Sequence, residues 1–332
     1  MPTHDQDEPA LVKMLAGEFD GNWKQLSVGI GDDAAVLRRQ KSGLVWSVDT
    51  AVEHVHFELD WLNLGDLGAR AFQAAVSDLA AMGAKPLAAL SSLILPSAYG
   101  SKEVSKIAKG QQRAARALAC PVAGGNISRG RELSITTTVL GTVGTAILRQ
   151  GAAVGEELWL VGDVGLAGAG CRALGRGSRP SRFARIKRED RGVATCIKAW
   201  REPRALIAEG QRLSRSASCM IDVSDGLATN ATELAKVAGI RVVIEEHRLR
   251  AALRPDLVRA AAALDANAVQ LALYGGEDYA LLAAGPARKR PRAARVIGRF
   301  EAGWGGVLQT IGGKAEPLNR GYDHMLPPDA DQ

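Results

Sequence analysis

Hydrophobic and polar positions along this chain alternate between two periods. Leu67, Ala71, Ala74, Ala75, Leu79 and Met82 recur at helical spacing, which predicts a helix over 66–82 with Asp66 as its N-cap. Gly83 ends it and Pro86 follows. Asp78 falls on that apolar stripe, and a carboxylate on an inward face is costly unless it is paired or binds metal. A second helix opens at Ser101, with Val104, Ile107, Ala108, Ala115 and Leu118 on one face. LVWSV at 44–48 reads as a short strand ending at Asp49, and 132–143 is rich in β-formers. GAAVG at 151–155 reads as a linker. Beyond it come strands at 157–161 and 220–223, a helix over 227–238 closed by Gly239, and a strand at 240–244. The expected organisation is two domains, 1–150 and 151–332, in which strands and helices alternate, an α+β or α/β architecture.

Composition narrows the class. With 332 residues, 46% hydrophobic and 23% charged, the chain can build two ordinary cores. No apolar run reaches the roughly 18–20 residues of a membrane span. The N-terminal MPTHDQDEP lacks the apolar stretch of a secretory signal. Cys120, Cys171, Cys196 and Cys219 are widely spaced without a CxxC pair. They read as free thiols, so the cytoplasm is the expected location. The net charge is +6, with arginines concentrated over 172–191 and 288–295. Aromatics make up 5% of the chain, and only Phe183 falls among those arginines. Solvated faces are therefore the better reading than a nucleic-acid surface.

The candidate chemistry lies in short acidic clusters: GIGDD at 29–33, SVDT at 47–50, SDLAAMG at 77–83, GGNISRG at 124–130 and IDVSDG at 221–226. They offer hard oxygen ligands beside glycines or at element ends, as Mg²⁺ and phosphate require. In IDVSDG a strand delivers Asp222 and Asp225, and Ser224 or Asp225 is placed to cap the next helix, whose N-terminus suits a phosphate. An ordinary capped turn would look the same. The P-loop pattern is absent from the sequence. GDVGLAGAGCRA at 162–173 contains GxGxxA after a strand, but an arginine-rich stretch stands about 20 positions on, where a dinucleotide site has its acidic residue. Tight strand-to-helix packing is the plainer reading there.

In this order the clusters resemble one family. GIGDDAAVL at 29–37, SVDT at 47–50 with His56 and Phe57, SDLAAMGAKP at 77–86, GGNISRG at 124–130, IDVSDGL at 221–227, YGGEDY at 274–279 and RGYDH at 320–324 look like thiamine-monophosphate kinase. That family belongs to the superfamily of aminoimidazole ribonucleotide synthase and selenophosphate synthetase. The resemblance implies a two-domain α+β fold whose N-terminal sheet forms the interface of a homodimer. It implies ATP and Mg²⁺, and direct transfer of the γ-phosphoryl group to thiamine monophosphate. By motif match Asp33, Asp49, Asp78, Asp222 and Asp225 are metal ligands, with Ser47 a sixth, and Asp78 and Asp225 carry catalysis. Gly125, Asn126, Arg149 and Ser224 fall at nucleotide positions, and His56, Glu277 and Tyr322 at substrate positions. Without the resemblance, His56 reads equally as a satisfied strand-end histidine. The 132–143 segment is expected to need an edge partner. The chain departs from the family in having Asn126 for Asp, Val48 for Thr, and Met325 for an aromatic. Those departures leave room for another acceptor on the same fold, or for an inactive nucleotide-binding regulator.

Overall fold

The computed structural model describes residues 8–19, 23–28, 30, 36–176 and 190–318. The chain divides into two compact units, Met1–Ala146 and Ile147–Gln332, a few residues before the expected linker.

The first unit contains α1 (Glu8–Glu18), β1 (Leu26–Val28), β2 (Val36–Leu37), β3 (Gly43–Val52), α2 (Leu64–Ala81), β4 (Lys85–Leu95), α3 (Ser101–Leu118), β5 (Val122–Arg129) and β6 (Ser134–Val143). Its four-stranded sheet runs β3–β6–β4–β5. The β4–β5 pair is parallel and the others antiparallel. The expected strand at 44–48 is longer at both ends, so Asp49 sits inside β3 rather than after it. The β-rich 132–143 segment is interior, flanked by β3 and β4. Among the described residues the open edges belong to β3 and β5, which overturns the expectation that this segment needs an edge partner.

Helix α2 is capped by Asn63, not Asp66. The Asn63 Oδ1 accepts from the Asp66 N–H at 2.9 Å, and its Nδ2 donates to the Asp66 carboxylate at 2.7 Å. Asp66 instead sits in the first turn, where a negative charge complements the helix dipole. The stripe of Leu67, Ala71, Ala74, Ala75 and Leu79 is buried as expected, and Met82 is the C-cap. Helix α3 lies against α2 through glycines. A Cβ at Gly110 would stand 1.8 Å from the Gly65 carbonyl oxygen, and one at Gly68 would stand 2.2 Å from that of Ile107.

The second unit contains β7 (Glu157–Val161), α4 (Leu166–Arg176), α5 (Arg191–Arg201), α6 (Ile207–Leu213), β8 (Cys219–Val223), α7 (Leu227–Ala238), β9 (Arg241–Glu245), α8 (Glu246–Ala252), α9 (Pro255–Ala263), α10 (Ala268–Tyr274), β10 (Ala280–Gly285), β11 (Arg295–Glu301), β12 (Gly305–Gln309) and β13 (Ala315–Pro317). The sheet order is β13–β12–β9–β11–β7–β10–β8, antiparallel except for β9–β12. Strand β7 and helix α7 occupy the expected residues. All four cysteines are free thiols. Burial pushes Cys120 and Cys196 up to about 12 and Cys219 to about 11, which makes them poor nucleophiles. Among the described residues no helix is long and apolar enough to cross a membrane.

The α2–α3 contact makes a direct prediction. Gly110→Ala forces the helix backbones apart, and overpacking of this kind costs about 1–3 kcal/mol. A urea melt should show that loss, and a midpoint equal to that of the wild-type protein would contradict it.

Candidate active site

In the first unit two of the acidic clusters, 47–50 and 77–83, meet at one side of the sheet. Side chains alternate along β3, so Ser47 and Asp49 share the face covered by α2, while Leu44, Trp46 and Val48 point the other way. The Ser47 hydroxyl donates to the Asp78 carboxylate of α2 in a short hydrogen bond. This answers the sequence paradox of an acid on an apolar stripe: Asp78 is half-buried and held by a polar partner. Asp49 lies two residues along β3, is exposed, and accepts from the Thr50 N–H at 2.7 Å. These donors are all hard oxygens. Among the described residues no group of three or more His, Cys, Asp or Glu is gathered to hold a metal. The set would have to be completed by phosphate oxygens and water, which is how Mg²⁺ is usually held.

Asn126 is not part of this group. The register runs Thr50–Thr136–Ser92–Asn126 across the four strands, and Thr50 and Thr136 share a 3.0 Å hydrogen bond. Asn126 therefore lies on the opposite face from Ser47 and Asp49, at the far edge. Three strand spacings separate the edges, about 14 Å. Gly125 lies on the helix-covered face, paired with Ser91, and a Cβ there would stand 1.8 Å from the Ser91 carbonyl oxygen. His56 sits in the turn after β3. Its Nδ1 accepts from the Val52 N–H at 3.1 Å, so in that arrangement Nε2 carries the ring proton. That bond is what a strand-end histidine would make.

In the second unit, β8 carries Asp222, which is buried, and Ser224 and Asp225 follow the strand. Neither Ser224 nor Asp225 caps α7. The N-cap is Gly226 at φ 103°, with no side-chain cap. A side chain could not adopt that φ without strain. The Asp225 N–H is instead met by the Asn230 Oδ1 at 3.3 Å, which leaves the Asp225 carboxylate outside the capping role. The loop at 275–279 closes over this turn. Glu277 donates its N–H to the Ser224 carbonyl at 2.6 Å, and Tyr279 donates to that of Val223 at 2.8 Å. Glu277 and Tyr279 both have left-handed backbones, φ 58° and 51°. Such conformations in non-glycine residues are strained and concentrate at functional sites.

Two residues of this region escaped the sequence. Buried Trp200 of α5 donates its indole N–H to the Glu277 carboxylate at 2.5 Å, a contact with no local signal. Asp278 accepts from the Gly165 and Ala167 N–H groups at 2.6 and 3.0 Å, and so caps α4 from 111 residues away in sequence. A signal existed: α4 opens without a Ser, Thr, Asp or Asn of its own, so its free N–H groups had to be met from elsewhere. The glycines in its first turns serve packing, as the plainer reading expected. A Cβ at Gly168 would stand 2.4 Å from the Gly275 Cα, and one at Gly170 would stand 2.3 Å from the Cys196 carbonyl oxygen. Arg149 is exposed at the start of this unit. Asp33 and Tyr322 lie outside the described residues, as does most of the arginine-rich 172–191 segment.

Residues 31–143 match the model of the AIR synthase related protein, N-terminal domain. The fold and this match define a protein of the AIR synthase-related class. The thiamine-monophosphate kinase of Bacillus subtilis strain 168 is 33% identical over 264 residues, 77% of each chain. That of Aquifex aeolicus is 31% identical over 301 residues, 89% of this chain and 92% of the other. The solved structure of AaThiL complexed with AMPPCP and TMP superposes with a TM-score of 0.75 at 27% identity, covering 96% of this chain and 99% of that one. The chain belongs to the thiamine-monophosphate kinase family, a family of phosphotransferases.

The remote cap gives a pH prediction. Desolvation pushes the Asp278 carboxyl up to about 7, against the pull of its two amide donors. An unfolded aspartate titrates near 4. Between those values the folded chain keeps a proton that the unfolded chain has lost, so stability from this group falls as pH rises through that window. Asp278→Asn carries no such slope. The stability advantage of the wild-type protein over it should be largest near pH 5 and shrink toward pH 8 in urea melts. An advantage growing toward pH 8 would mean that the ionised carboxylate is the favoured cap.

Proposed function

We propose that this protein transfers the γ-phosphoryl group of ATP to thiamine monophosphate, giving thiamine diphosphate and ADP. The observation that carries the reading is Asp78, a carboxylate set on the inward stripe of α2 and tied to Ser47 beside Asp49. Family membership and the relative complexed with AMPPCP and TMP support the choice of substrates. Phosphoryl transfer asks little covalent work of a protein; it asks for alignment and neutralised charge. A terminal oxygen of the acceptor phosphate attacks the γ-phosphorus in line, and the bond to the ADP oxygen breaks.

Mg²⁺, when bound, supplies the positive charge that two phosphate-bearing anions need to approach. Asp33, Asp49, Asp78 and Ser47 in the first unit, and Asp222 and Asp225 in the second, are the groups assigned to hold it. The Ser47 bond fixes the Asp78 carboxylate before substrate arrives. Trp200 and the backbone bonds of the 275–279 loop fix Glu277, assigned to the thiamine substrate along with His56 and Tyr322. Gly125, Asn126, Arg149 and Ser224 are assigned to the nucleotide. Asn126, on the opposite sheet face, carries no part in the Ser47–Asp78 group of its own chain.

We further propose a homodimer formed through the first unit's sheet. Its uncovered face exposes Leu44, Trp46 and Val48 at 58, 71 and 59% of their surface, with Leu90 and Ile94 beside them. Strand β3 also leaves one edge unpaired among the described residues. An apolar face beside an open edge is a hazard unless it is covered. The occupant that fits is the same face of a second copy, which presents an equal apolar patch.

ADP release, measured with thiamine monophosphate, with other phosphorylated or alcohol acceptors, and with ATP alone, tests the activity. Release that depends on thiamine monophosphate is expected. Release with another acceptor only would reassign the substrate, and binding without turnover would make the chain a regulator. Asp78→Asn should keep the fold and lose on the order of 10²-fold or more in rate; a folded variant with near-normal turnover would refute its role. Trp46→Glu should convert a dimer to monomer in light scattering, and a wild-type protein that is already an active monomer at working concentration would rule out the assembly.

A further inference from the structure

Thr137 stands on the helix-covered face of the first unit's sheet. The register sets it on β6 between Asp49 of β3 and Ser91 of β4, so it shares that face with Ser47 and Asp49. It is 1% exposed. Its hydroxyl Oγ1 is buried and has no hydrogen-bond partner among the described residues. A buried hydroxyl left unmet costs free energy that a valine of the same shape would not. Such a group points to a partner that meets it in another state of the protein. On the β4 side, the Ser91 Oγ already accepts from the Gln111 amide at 2.8 Å. On the β3 side stands Asp49. Residues directly opposite each other on neighbouring strands have Cβ atoms about 4.5–5.5 Å apart. A carboxylate and a hydroxyl can span that gap with one hydrogen bond. The Asp49 Oδ1 accepts from the Thr50 N–H, a bond along its own strand, and a carboxylate has a second oxygen to offer.

We propose that Thr137 is a positioning residue for Asp49: its hydroxyl donates to the Asp49 carboxylate when a divalent cation draws that group inward. The inference rests on the metal-dependent reading above. It makes the two acids of this face a matched pair. Ser47 holds Asp78, and Thr137 does the same for Asp49. A donor on a carboxylate fixes its direction and favours its charged form, and a cation requires both. The hydroxyl that is unmet in the metal-free protein is met in the bound one, so it lowers stability and raises affinity. TTT at 136–138 gave no sign of this, because threonine is an ordinary strand former. The register alone singles out the middle one.

The test uses the full chain, with Mn²⁺ in place of Mg²⁺ and the free ion followed by electron paramagnetic resonance, beside urea melts without any divalent ion. Thr137→Val should weaken Mn²⁺ binding on the order of tenfold or more, while its metal-free urea midpoint equals or exceeds that of the wild-type protein. Thr137→Ser keeps the hydroxyl and should restore most of the lost affinity. A merely structural threonine would show the reverse, a lower midpoint and an unchanged affinity. Mn²⁺ binding unmoved by Thr137→Val, a metal-free midpoint that falls in that variant, or a Thr137→Ser protein as weak as Thr137→Val would overturn the inference. Its failure is separable from that of the metal-dependent reading. A wild-type protein that binds no Mn²⁺ sinks that reading and the inference with it, whereas Mn²⁺ bound equally by the wild-type protein and Thr137→Val sinks the inference alone.

Discussion

A carboxylate on the inward face of a helix must be answered, and in this chain Asp78 is answered by Ser47. That requirement organises the first unit. To bring Ser47 to α2, β3 must run at the sheet edge with its odd-numbered residues inward, which places Asp49 beside the pair. To bring α2 close enough, α3 must sit tightly against it, and Gly65, Gly68 and Gly110 make that approach by presenting backbone to backbone. The same alternation that turns Ser47 inward turns Leu44, Trp46 and Val48 outward. The acidic group and the apolar face are therefore two consequences of one register. A one-residue slip of β3 would exchange them and destroy both.

The second unit solves a related problem with backbone rather than side chain. Asp222 is buried at the end of an edge strand, and the turn that follows needs Gly226 at φ 103°. The loop at 275–279 is stitched to that turn by two backbone hydrogen bonds and held in left-handed conformations at Glu277 and Tyr279. A loop at liberty would relax out of those conformations. What keeps it there is that adjacent residues are fastened to different elements: Glu277 to Trp200 of α5, Asp278 to the start of α4. Two adjacent acids of one short motif are thus held by two different helices, and the strain of the loop is the consequence of serving both.

Local features were legible in the sequence where local rules decide. The α2 stripe, α7 with its closing Gly239, and β7 follow from periodicity and glycine placement. Errors came where a neighbour decides instead. Asp66 looks like a cap, but Asn63 three residues earlier competes with better geometry. Ser224 and Asp225 look like caps, but the glycine after them adopts a φ that sets the helix start one residue later. The 132–143 segment looks like an edge because nothing in its own residues reports that β3 and β4 flank it. The acidic clusters were visible as residue types, yet their partition was not. The sheet register puts Asn126 on one face and Ser47 and Asp49 on the other, and register is a long-range property.

The position of Asn126 also constrains what its amide can mean. On its own chain it is about three strand spacings from β3 and on the other face of the sheet, so no movement of a side chain brings it to Asp49 or Asp78. It shares that uncovered face with Trp46, Val48 and Leu90. If a second copy covers the face, Asn126 enters an interface where an aspartate would carry a desolvated charge, and the neutral amide lowers that cost. The exchange of acid for amide is then a statement about the covered face as much as about a metal. Its effect would be felt in assembly before it was felt at Ser47, Asp49 and Asp78.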